Sequence, residues 1–207
     1  MDFLDSRHLT NHDGFVQLFS EDDTYEYYVT SVPRGIIPPH EPAFYLEVKP
    51  GGAKKGGGRQ HRVKVVWNQA ARRYEADPAR LEIAQNDYVT WHCERMAGSP
   101  PYAVRGKGRK GAFDSAALGP HAVFSHFFLQ PGRYVYQVNG AGKFTVDVRD
   151  HRELAADAYA KRASTAPVVQ IRKGRPDHDK LDVVAGQTVV WAVEHETNVV
   201  ISSASTA

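Results

Sequence analysis

Apolar and polar residues alternate with a period of two through most of this chain, the pattern of strands with one face buried and one in water. The clearest case is residues 132–137 and 143–148, two alternating runs on either side of Asn139-Gly140-Ala141-Gly142, a β-hairpin signal. Pro131-Gly132 marks a tight turn just before the first run, and Tyr134 and Tyr136 fall on one face of it. Residues 14–20 (GFVQLFS) and 24–30 (TYEYYVT) predict two more strands around the turn Glu21-Asp22-Asp23, and residues 43–48 (AFYLEV) predict another. Val63, Val65 and Trp67 alternate in the same way, and in residues 81–91 (LEIAQNDYVTW) Leu81 and Ile83 share a face, Asn86-Asp87 turns, and Val89 and Trp91 re-enter the core. Helical spacing is confined to residues 150–163, where Asp150 and Glu153 form a capping-box pattern ahead of an alanine-rich run. The expected class is all-β with one short linker helix.

A repeat underlies the pattern. Residues 181–191 (LDVVAGQTVVW) match residues 81–91, each displaced by 100. Upstream, residues 168–171 stand where 63–67 stand, and downstream Asn198-Val199-Val200 follows as Tyr102-Ala103-Val104 does. Repetition at a domain-sized period predicts a second copy of one module.

Within the first copy the series F-x-x-x-F-x-x-P-G-x-Y-x-Y (Phe124 to Tyr136), then G-x-F-x-V (Gly142 to Val146), with Phe113-Asp114-Ser115 upstream, resembles a cupredoxin domain, the blue-copper fold. The resemblance implies a cupredoxin-like Greek-key β-sandwich. In copper-binding members the loop between the last two strands carries Cys, His and usually Met ligands, and a further His stands in an H-N-V triplet. Here the loop is Val138-Asn139-Gly140-Ala141-Gly142, the triplet is Tyr102-Ala103-Val104, and in the second copy Thr197 precedes Asn198-Val199-Val200. The expectation is therefore the fold without the blue-copper site. It gives an N-terminal extension with short strands at 1–60, a cupredoxin-like domain at 61–149, a helical linker at 150–166 and a partial second module at 167–207. Such a partial module leaves an apolar face and a row of backbone donors and acceptors open, so either the sequence is cut or a partner completes the sheet.

Composition adds less. One cysteine, Cys93, rules out an internal disulfide framework, and with no signal-peptide pattern at the start and no long apolar run a cytoplasmic location is expected. Charge is divided: residues 1–50 hold three basic against nine acidic residues (net −6), and residues 51–110 hold thirteen against five (net +8). An acidic arm meeting a basic body could steer contacts between copies.

Ten histidines raise the question of a metal, the candidates being His92 and Cys93 with His121 and His126. A blue-copper site needs two imidazoles and a thiolate converging, whereas neighbours on a strand point to opposite faces. No metal ligand is assigned. There is no G-x-S-x-G, no H-E-x-x-H and no dinucleotide-binding glycine pattern in a strand-to-helix setting, and the glycine-rich basic loop 50–58 lacks the lysine and hydroxyl of a phosphate loop. No catalytic or cofactor-binding residue is therefore expected. Arg105, Lys107, Arg109 and Lys110, with Lys54, Lys55, Arg59, Arg62 and Lys64, could meet phosphates, yet nucleic-acid binding calls for interleaved aromatics and a more basic chain than one with a pI near 8.6. The sequence thus predicts a non-enzymatic structural or protein-interaction subunit, a homo-oligomer or part of a larger assembly. The alternative is an atypical copper or electron-transfer protein around His92, Cys93 and His126.

Overall fold

The computed structural model describes residues 3–32, 42–51, 58–94, 99–138, 141–194 and 199–203. Asn139, Gly140, Thr197, Asn198, Ala207 and most of the glycine-rich loop lie outside these, so the readings placed on them stop there.

The described chain is all-β. In order its strands are β1 (Phe3–Asp5), β2 (Asp13–Phe19), β3 (Asp23–Ser31), β4 (Phe44–Lys49), β5 (Gln60–Asn68), β6 (Arg73–Asp77), β7 (Arg80–Ala84), β8 (Asp87–Cys93), β9 (Tyr102–Lys107) and β10 (Ala112–Asp114). They continue as β11 (Ala122–Phe128), β12 (Gly132–Val138), β13 (Ala141–Arg149), helix α1 (Ala156–Ala163), β14 (Val168–Arg172), β15 (Arg175–Pro176), β16 (Lys180–Val184), β17 (Gln187–Val193) and β18 (Val199–Ser203). Two compact units result: His8–Ala117, and Met1–Arg7 together with Leu118–Ala207.

In the unit His8–Ala117 one sheet runs β10-β9-β3-β4-β7, antiparallel except for the parallel pair β4/β7. Four further strands run β2-β8-β5-β6, antiparallel, parallel, antiparallel. The alternation seen in the sequence supplies the inner face: β3 buries Tyr25, Tyr27 and Val29, and β8 buries Val89, Trp91 and Cys93. Rings of both strand sets meet there, Tyr27 edge-on to Trp91 at 5.7 Å and Phe113 stacked on Trp91 at 5.1 Å.

The other unit has the same order and the same strand directions: β1-β18-β12-β13-β16, with β13/β16 the parallel pair, and β11-β17-β14-β15. Its core rings keep the same geometry. Tyr136 meets Trp191 at 6.1 Å and 71°, against 5.7 Å and 74° for Tyr27 and Trp91. Phe124 lies 5.5 Å from Trp191, as Phe15 lies 5.4 Å from Trp91, and Phe128–Tyr134 repeats Phe19–Tyr25 at 5.1 Å.

These units are cut differently from the expected modules. Residues 61–149 belong to both units, the stretch 1–60 lies mostly inside one compact unit rather than outside it as an extension, and 167–207 shares its unit with other segments. The strands that finish the sheets of β14–β18 are β11–β13 and β1, and those that finish β5–β9 are β2–β4 and β10. The reason is that β2–β4 and β11–β13 carry the same inward pattern, so either set could close either half, and the sequence alone favours the one that completes the family motif.

A smaller correction concerns the helix. Asp150 caps a 3₁₀ turn at His151–Glu153, accepting from the Arg152 N–H at 2.9 Å, while α1 begins at Ala156 with no side-chain cap. The Arg152 guanidinium holds the same carboxylate at 2.5–3.1 Å, and Leu154 returns to extended backbone (φ −113°), which separates the turn from the helix. The turn expected at Asn86-Asp87 falls one residue earlier, at Gln85-Asn86, with Asn86 at φ 71° and Asp87 opening β8; its counterpart Gly186 at φ 94° sits under the Tyr159 hydroxyl of α1.

Candidate functional site

The unit His8–Ala117 carries a groove of about 500 Å³ over β3 and β9, lined by Glu26, Tyr28, Arg105, Gly106, Lys107 and Gly108. Register places Glu26 opposite Lys107 and Tyr28 opposite Arg105. Period two sends Tyr25 and Tyr27 inward, so Glu26 and Tyr28 line the outer face, where the Tyr28 hydroxyl donates to Glu26. At Gly106 a Cβ would meet the Phe113 ring at 2.3 Å, so the groove floor is glycine because an aromatic ring packs directly beneath it.

The hairpin from β9 to β10 is anchored by a buried carboxylate. Asp23 accepts from the Lys110 N–H at 2.7 Å and the Thr24 N–H at 2.8 Å, and a Cβ on Gly108 would come within 2.3 Å of its Oδ2. Burial alone would raise the Asp23 carboxyl, but these N–H groups and the nearby Arg109 hold it below the ordinary range. The basic segment is thus set among acids of its own unit: Lys110 on Asp22 at 2.8 Å, Arg109 toward Asp23 at 3.9 Å, Arg105 on Asp114 at 2.9 Å. Lys64 likewise meets Glu94 at 2.6 Å, and His61 meets the buried Asp87 at 2.7 Å. Asp87 also accepts from the Arg59 and Ala84 N–H groups; burial opposes its ionisation, but these partners outweigh it and its carboxyl is held low. At Lys110–Asp22 and Arg109–Asp23 the acidic and basic stretches of the sequence meet inside one unit.

The metal candidates are placed as follows. His92 and Cys93 end β8 on opposite faces, Cys93 buried and His92 half-buried. The Cys93 thiol donates to the Glu94 carbonyl at 3.2 Å, and burial, with Glu94 adding, pushes it up to about 11. Burial, with Arg62 adding, lowers His92. His126 belongs to the other unit, its ring edge-on to Phe128 at 4.7 Å, and His121 is an exposed turn residue at φ 65° in that unit. Among the described residues no three or more His, Cys, Asp or Glu side chains gather as a metal-binding group. Among them too, no helix is long and apolar enough to cross a membrane.

What the sequence reading missed is the edge strands. Registers align β1 on β18 as β10 lies on β9, which superposes Phe3-Leu4-Asp5-Ser6 on Ala112-Phe113-Asp114-Ser115, displaced by 109. The shared Asp-Ser was the available signal, hidden because its spacing differs from the 100 of the longer match.

The chain was compared with protein-family models, curated proteins and solved structures, and none matches.

Proposed function

We propose that this protein is a non-enzymatic structural or protein-interaction subunit built from two copper-free, cupredoxin-like Greek-key sandwiches. The observation that carries the reading is the matched pair of edge strands, β10 on β9 and β1 on β18, each joining a sheet from which the continuing chain departs at once. Modules closed by a strand that leads into a neighbouring module suit assembly. The strand order shared by the two units and the equivalent ring geometry support an internal duplication. Cys93 argues against the copper alternative, because its thiol is buried, hydrogen-bonded to a carbonyl and faces away from His92. A β-sandwich of this kind acts by presenting outer faces and edges to other proteins, here the groove at Tyr28 and Arg105 and the edge strand β1.

Copper titration with visible absorption and bound-metal stoichiometry tests this. The expected result is no intense thiolate-to-copper band and no change on Cys93→Ser. One copper per chain with such a band, abolished by Cys93→Ser, overturns the proposal in favour of an electron carrier.

A further inference from the structure

Strand β1 is separated in sequence from every other strand of its unit by the whole His8–Ala117 unit. It nevertheless lies antiparallel on β18, with Phe3 opposite Ser202, Leu4 opposite Ile201 and Asp5 opposite Val200. Its counterpart β10 occupies the same edge of the other sheet, with Phe113 opposite Gly106. The correspondence continues past the strands. Ser6 and Ser115 are both fully buried, as are Leu9 and Leu118, again displaced by 109. Leu9 then bonds both ways to Tyr102 at 2.8 Å, N–H to carbonyl and carbonyl to N–H, in the unit His8–Ala117. Each segment therefore places a three-residue strand in one unit and its continuation in the other, with the crossing at Arg7/His8 in one case and Ala117/Leu118 in the other.

A strand supplied in this way makes the same ladder whichever copy supplies it. Nothing in the pairing of β1 with β18 depends on the two belonging to one chain, so the balance between copies is set by effective concentration. Phe113 needs the glycine opposite it, since a Cβ on Gly106 would enter its ring, and at the matching register of the other unit Leu4 stands opposite Ile201.

We propose that the β18 edge is a head-to-tail docking site for the Phe3–Asp5 strand of a second copy of this chain, so that copies link by exchanging β1. This rests on the interaction-subunit reading and names its partner.

The test mixes two full-length variants in a Cys93→Ser background, Leu4→Cys and Ile201→Cys, unfolds and refolds them together, and oxidises. Because a tethered strand has an effective concentration on the order of mM, refolding is compared at about 10 μM and about 1 mM. A disulfide-linked heterodimer is expected, several-fold more abundant at the higher concentration and absent when the exposed Val168→Cys replaces Ile201→Cys. The double variant Leu4→Cys/Ile201→Cys reports pairing within one copy. If it cross-links while the mixture yields no heterodimer, the exchange is refuted and the subunit reading stands. If neither cross-links, β1 does not pair with β18, and both the exchange and the observation behind the subunit reading fall.

Discussion

The contact between Gly106 and Phe113 permits a quantitative test of how the edge strand is chosen. A Cβ built on Gly106 meets Phe113 Cε1 and Cζ at 2.3 Å and Tyr27 Cβ at 2.9 Å. Phe113 is 7% exposed and packs against Phe15, Phe19, Tyr25, Tyr27 and Trp91, so its ring has nowhere to retreat without disturbing five others. Overpacking of this kind costs about 1–3 kcal/mol, so Gly106→Ala should speed hydrogen exchange in the β9 peptide by roughly 5- to 150-fold. Phe113→Leu, which installs the residue found at the matching place in β1, removes ring contacts and should cost about 1–2 kcal/mol on its own. The two changes should not add. With the ring gone, the methyl on Gly106 is left with its close approach to Tyr27 Cβ alone, and the double variant should be less perturbed than the two singles combined. Peptide-resolved hydrogen exchange followed by mass spectrometry across residues 102–114 measures all three. Strict additivity, with the double variant as perturbed as the two singles combined, would show that the glycine is not there to admit the ring.

Two further outcomes follow from titratable groups. Asp147 is held at about 2, chiefly by hydrogen bonds from Arg133 at 2.7 Å and Lys180 at 3.0 Å. Its folded-state value lies below its unfolded one, so its stabilising effect is complete above the ordinary value of 3.8 and is lost as pH falls from there to about 2. Denaturation midpoints of the native protein and of Asp147→Asn should therefore converge as pH is lowered through that window; parallel curves would refute the assignment. Cys93, pushed from 9.0 to about 11, holds about a hundredth of the thiolate of an ordinary cysteine at neutral pH. Its labelling by a disulfide reagent should accelerate at least a hundredfold on unfolding, because the buried site also restricts access. Rapid labelling of the folded chain at pH 7 would mean that the thiol is neither buried nor hydrogen-bonded as described.

Much of the local structure was legible from residue spacing. The residue pattern placed β2, β3, β4, β12 and β13 within a residue or two, because a strand with one buried face must repeat with period two. The displaced match of 81–91 with 181–191 pointed to Trp91 and Trp191, which prove to be equivalent core residues, both fully buried. The candidate site was far less legible. Asp23 looked like one of three acids in a turn, and only its position beside Gly108 and Lys110 makes it the anchor of the basic hairpin. Glu26 and Tyr28 were simply the outward residues of a strand until β9 brought Arg105 and Lys107 opposite them.

By itself the sequence determined where most of the inner strands run, which face they bury, and that one pattern occurs twice, since all three depend on spacing along the chain, whereas the short edge strands β1 and β10 escaped it. Which strands close which sheet was decided only in three dimensions. The triples β2–β4 and β11–β13 present the same aromatic inner face, and their last strands carry like outer charges, Glu47 with Lys49 and Asp147 with Arg149, so the buried pattern does not distinguish them as partners for β5–β9. Only the folded chain selects among such equivalent partners, through the pairing of β3 with β9 and β12 with β18 and the fit of Phe113 over Gly106. The physical reason is that pairing depends on registers and volumes brought together from distant parts of the chain, which residue spacing does not encode.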